Sequence, residues 1–115
     1  MMFLFVLVGC ALAEEDFAAE RAVAECKTMR RCYRAQFDGE HEGLDDCISD
    51  LTAVYDASMA AAADSAADST GKSGACTYDG EAAAICVSDI RTASCEAYWD
   101  RAALYEECEA SFVCR

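Results

Sequence analysis

Nine cysteines, Cys10, Cys26, Cys32, Cys47, Cys76, Cys86, Cys95, Cys108 and Cys114, are the chain's most conspicuous chemical resource. A cysteine can ligate metal, attack as a thiolate or form a disulfide, and spacing separates these roles. No C-x-x-C or C-x-x-C-H occurs, and the lone histidine, His41, supplies no paired imidazole, so zinc and haem patterns are missing. Cys10 falls inside an apolar leader, which leaves eight cysteines, an even number. Eight cysteines behind an export signal predict four disulfides formed in an oxidising compartment. Oxidised cysteines offer no thiolate nucleophile, and no catalytic residue stands out.

Oxygen ligands are the second resource. Asp38, Glu40 and Glu42 occupy positions 1, 3 and 5 of an EF-hand-like loop, with Gly43 at 6 and Asp46 at 9. The twelfth position, which should hold a bidentate Glu, is Ser49. The expectation is a solvated acidic turn, with weak Ca²⁺ binding through Asp38, Glu40, Glu42 and Asp46 as an alternative. Ala66 to Ser73 matches a permissive phosphate-loop pattern, but polyalanine replaces the required strand, so it reads as coincidence. No cofactor is implied, and the expectation is a protein that is not an enzyme.

Residues 1–13 read as a signal segment whose apolar run FLFVLV is too short to span a bilayer. The missing basic residues before it fit an initiator lying upstream. Two processing patterns follow: a lipobox-like Leu7-Val8-Gly9-Cys10, and Ala11-Leu12-Ala13 for cleavage before Glu14. The remaining residues, 14–115, carry all the charge, a formal net of −13. That excess of acid argues against nucleic acid or an anionic lipid surface as a partner, since both need clustered Lys and Arg.

The elements that must position these residues read as helices. Phe17, Val23, Cys26, Met29, Tyr33 and Phe37 form one apolar stripe, with acids at its start and Lys27, Arg30, Arg31 and Arg34 at its end. Residues 37–43 read as a turn, and Leu44, Cys47, Ile48, Leu51, Val54, Tyr55 and Met59 mark a second helix. A flexible Ala/Ser/Gly loop is expected near 60–75, with continued helix in its alanine half as an alternative. Thr77 or Asp79 would cap a third helix, and a fourth would carry Tyr98, Tyr105, Cys108 and Phe112, with Trp99 beside it in the core. The fold class expected is all-α: a small disulfide-stabilised bundle of about four helices, arranged as two helical hairpins. The preferred bridges are Cys32–Cys47 across the first turn and Cys95–Cys108 within the last stretch. Cys26 and Cys32 stand six apart, about 120° from each other on a helix, and must reach different partners.

The order C-x5-C (Cys26 to Cys32), Asp45-Asp46-Cys47, Cys76-Thr77-Tyr78-Asp79, Ala82-Ala83-x-x-Cys86, Ser94-Cys95-Glu96 and Glu106-Glu107-Cys108 resembles small cysteine-rich secreted proteins and lipoproteins of myxobacterial genomes. The resemblance implies lipidation at Cys10 and nothing about catalysis. The reading is an exported acidic protein, lipid-anchored through Cys10 at the outer membrane, periplasm or cell surface. It would act as an interaction or structural protein with an unknown protein partner. The alternative is a freely secreted, extracellular domain.

Overall fold

The computed structural model of the chain describes residues 11–70, 76–100 and 105–114, with residues 62–70, 76, 113 and 114 described by their backbone alone. Helix α1 spans Glu14–Cys32, α2 Arg34–Glu40 and α3 Leu44–Thr70. Strand β1, Cys76–Tyr78, precedes α4, Gly80–Thr92, and then come α5, Cys95–Trp99, α6, Glu106–Ala110, and β2, Phe112–Cys114. The fold is all-α, a small disulfide-stabilised helical assembly, with one two-stranded ribbon added. No helix among the described residues is long and apolar enough to cross a membrane.

Helix α1 is the axis. Glu14, Glu15 and Asp16 occupy its first turn and Arg30 and Arg31 its last, so its charges oppose its dipole. Ala18, Ala22 and Ala24 are buried on it, and such small side chains let neighbouring helices approach closely. It packs against both α3 and α4, while α4 packs against α6. The two expected hairpins thus correspond to α1 with α3 and α4 with α6. The C-terminal part of α1 also satisfies carbonyls at the end of α4: Thr28 Oγ1 donates to Ile90 O at 2.8 Å and Arg31 Nη2 to Ala93 O at 2.8 Å. One core gathers Phe17, Ala83, Val87 and Ile90 around Cys86 and Cys108. A second gathers Phe37 with Cys26 and Cys47.

With no proline in the chain, local chemistry sets the breaks. Tyr33 leaves helical geometry at φ −135° and ψ 60°, separating α1 from α2. The expected turn at 37–43 is therefore shorter, because Phe37 to Glu40 are helical and Phe37 is buried. Asp79 caps α4 by accepting from the N–H groups of Glu81 and Ala82 at 3.0 and 3.1 Å. Ser94 caps α5 by accepting from Ala97 N–H at 3.0 Å.

Other expectations are corrected. The loop placed near 60–75 is helical as far as Thr70, since alanine continues α3, and residues 71–75 lie outside the described residues. This also puts Ala66 to Thr70 inside a helix, without the strand a phosphate loop requires. The single last helix is instead α5, α6 and β2, and Phe112 stands in a strand. That strand pairs antiparallel with β1 in the register Cys76↔Cys114, Thr77↔Val113 and Tyr78↔Phe112. Trp99, expected in the core, is 75% exposed, whereas Tyr98 is buried.

Candidate functional site

Among the described residues six cysteines are bridged: Cys26–Cys47, Cys32–Cys95 and Cys86–Cys108, with Cα separations of 6.0, 5.3 and 4.7 Å. The preferred pairs Cys32–Cys47 and Cys95–Cys108 are not formed. Helix α2 fills the gap that would have let Cys32 face Cys47, and α3 instead presents Cys47 to Cys26, inside α1. Cys32, turned away on α1, meets Cys95 at the start of α5. The chain breaks between Cys95 and Cys108, so Cys108 faces α4 and Cys86. The expectation that Cys26 and Cys32 reach different partners holds. Cys76 and Cys114 are known by backbone and stand opposite each other in the ribbon. Cys10, the expected lipidation residue, lies outside the described residues.

The residues just after Cys10 are part of the folded domain. Leu12 N–H donates to Gly80 O at 3.0 Å, and Tyr78 Oη donates to Leu12 O at 2.7 Å. The Leu12 side chain packs against the main core, and Ala13 occupies the N-cap of α1. Gly80 has no room to spare: a Cβ there would stand 2.8 Å from Leu12 O. Burial, followed by the charges of Glu14, Asp16 and Asp79, pushes the Tyr78 hydroxyl up to about 12.

A buried carboxylate lies at the centre of the molecule. Glu25 on α1 is 3% exposed. Its Oε1 accepts from Tyr98 Oη at 2.8 Å, and its Oε2 accepts from Tyr55 Oη at 3.1 Å and from Tyr105 Oη. The Arg21 guanidinium, one turn earlier, lies over the Tyr55 ring at 4.3 Å and the Tyr105 ring at 5.1 Å. Its Nε is 3.9 Å from Glu25 Oε2. Burial first, and the Glu25 charge second, hold the Tyr55 and Tyr105 hydroxyls well above their usual range. They therefore act as proton-retaining donors, which is what a buried carboxylate requires. Beside them opens a cavity of about 360 Å³ lined by Phe17, Arg21, Tyr55, Met59, Tyr105 and Phe112. That is near the small end of ligand-sized pockets, roughly 300–1,000 Å³.

Tyr55, Tyr98 and Tyr105 were expected on apolar helix faces, but Glu25 and Arg21 were not singled out from sequence. A faint signal existed: tyrosines on apolar faces must find acceptors for their hydroxyls. Nothing in the sequence says which of 22 acids lies among them.

The acidic segment 38–46 is arranged differently from a calcium loop. Asp38 pairs with Arg34 at 3.2 Å, and Glu40 accepts from Gln36 at 3.2 Å, both on the exposed side of α2. Asp46 Oδ2 accepts from Glu42 N–H at 3.1 Å. Of the four expected ligands only Asp46 joins a tight group, and its companions there are His41 and Asp50. Comparison of the chain with protein-family models, curated proteins and solved structures finds no match.

Proposed function

We propose that this disulfide-stabilised, acidic helical domain is exported and held at a membrane surface by a lipid on Cys10, where it works through protein contacts and not by catalysis. The observation that carries the anchor is the seat of Leu12 against Gly80, Tyr78 and the main core. Processing at Cys10 keeps that seat and leaves only Ala11 between it and the lipid, so the domain would sit close against the bilayer. Cleavage after Ala13 would remove Leu12 and the N-cap residue. It would also place a cationic α-amino group at the positive end of the α1 dipole, an unfavourable position.

The non-catalytic part of the reading is supported by chemistry at the centre. Both Glu25 oxygens are taken up by tyrosine donors, burial makes Tyr55 and Tyr105 retain their protons, and six of the described cysteines are oxidised. The outer membrane, periplasm or cell surface is the corresponding location, as it is for the cysteine-rich lipoproteins the chain resembles.

The experiment is an intact-mass measurement on the native protein, with fractionation of the producing cells. A mass beginning at Cys10 with added acyl chains, and loss of the protein from membranes on Cys10→Ser, are the expected results. An unmodified mass beginning at Glu14, with the protein in the medium, would replace the reading with a freely secreted domain.

A further inference from the structure

His41 follows α2 directly, its N–H donating to Phe37 O at 2.9 Å and its ring resting beside the Phe37 ring at 5.5 Å. These contacts hold the imidazole in place, and its side chain is only 10% exposed. Its Nδ1 is buried and has no hydrogen-bond partner. Two carboxylate oxygens stand before it, Asp46 Oδ2 at 3.8 Å and Asp50 Oδ2 at 3.7 Å. Asp46 and Asp50 are one turn apart on α3 and so share a face. The Cys26–Cys47 bridge, next to Asp46, ties that turn to α1.

A protonated imidazole paired with a carboxylate would bring Nδ1 within about 2.7–3.2 Å of one oxygen. Here Nδ1 stands almost equally far from two oxygens and bonds to neither. A buried nitrogen left in that position calls for an explanation. The ligand atoms of all three residues lie within 4.8 Å of one another. An ion with bonds of about 2.0–2.2 Å to N and O sets neighbouring ligand atoms roughly 3.3–3.6 Å apart in a tetrahedron, and the two His41–carboxylate separations are a few tenths of an ångström from that.

The geometry points to a divalent metal site at the α2–α3 junction, with His41 Nδ1 and the carboxylates of Asp46 and Asp50 as its protein ligands. One imidazole nitrogen with two carboxylates suits a borderline first-row ion of the zinc class. Ca²⁺, which takes six to eight oxygens, is poorly served. A fourth position is open to water or to a ligand from a partner. The groups around the ligands are already oriented. Glu42 N–H holds Asp46 Oδ2 at 3.1 Å, and Glu40 Oε1 lies 4.0 Å from His41 Nε2, where a carboxylate commonly steadies a ligating imidazole. The carboxylates reach solvent, so an ion has a way in.

The test is a Zn²⁺ titration of the full oxidised chain, with any free thiol alkylated beforehand without reduction. Calorimetry gives stoichiometry, and the ring signals of the only histidine report the site directly. One saturable site that shifts those signals is expected. Asp50→Asn, whose side chain is 61% exposed and can change without disturbing the core, should weaken binding about 10-fold or more. His41→Gln should abolish the site, and Ca²⁺ should not shift the ring. Unshifted ring signals at saturating Zn²⁺, or an Asp50→Asn variant that binds like the parent, would overturn the assignment. So would an Asp38→Asn variant that weakens binding as much as Asp50→Asn, since that would return the site to the acidic segment.

Discussion

Glu25 shows how much one residue's surroundings can demand. A carboxylate removed from water is costly unless its lone pairs are filled, and here three hydroxyls from α3, α5 and the residue preceding α6 fill them. Glu25→Ala would leave those hydroxyls and the Arg21 charge without their partner. The expected loss is about 3–5 kcal/mol in urea unfolding, the range for breaking a buried charged network. Tyr105→Phe removes one donor and should cost about 1–2 kcal/mol. Tyr55 and Tyr105, together with Tyr78 on Leu12, set an alkaline limit. Their folded pKa values lie above the unfolded value of about 10, so the stability they contribute is complete below that pH. It is lost as pH rises through the folded values, about 12 for Tyr78 and higher for Tyr55 and Tyr105. A tyrosinate absorbance titration should show these three ionising late, with unfolding stability flat up to about pH 10 in their contribution and falling beyond it. Early ionisation of all tyrosines would contradict the arrangement around Glu25.

Among the elements, α1 and the residues leading into it carry the most consequence. The Leu12 seat leaves no space for a side chain at Gly80, so Gly80→Ala should cost about 1 kcal/mol or more in a chain that retains Leu12. In a chain beginning at Glu14 the same substitution should be neutral or stabilising by roughly 0.5 kcal/mol, because alanine is the better helix former. Comparing the two chains by thermal unfolding checks the sign reversal. Equal effects would mean that Leu12 does not dock. Much of the element layout was legible in the sequence: acids and bases placed α1, and Thr77 or Asp79 was expected to cap α4, the role Asp79 takes. The division after Tyr33, the continuation of α3 past the alanines to Thr70, and the ribbon were not. Short segments such as β1 and β2 owe their pairing to a distant partner strand and carry little pattern of their own.

For the whole molecule, covalent links compensate for a thin apolar core. Cys32–Cys95 closes the longest described loop, a separation of 63 residues, and in the chain-entropy account is worth about 4 kcal/mol against about 3 for Cys26–Cys47. Among the described bridges it is also the most accessible, since Cys95 is exposed while Cys26, Cys47 and Cys86 are buried. Limited reduction followed by alkylation and peptide mapping should therefore label Cys32 and Cys95 before the other described pairs. Full reduction should release eight thiols from residues 14–115, the count that the even number of cysteines predicts, Cys76 and Cys114 included. Release of only six would leave Cys76 and Cys114 as free thiols and weaken the parity argument.

The sequence alone determined the class of the molecule: helices from periodicity, oxidised cysteines from number and context, and an acidic surface from charge. These are local or additive properties, and each can be read without knowing what touches what. Tertiary structure decided which cysteines pair, which of many acids is buried beneath three tyrosines, and that His41 meets Asp46 and Asp50. Those outcomes depend on the directions in which helices leave their breaks. A turn shortened by one small helix is enough to move Cys47 from Cys32 to Cys26.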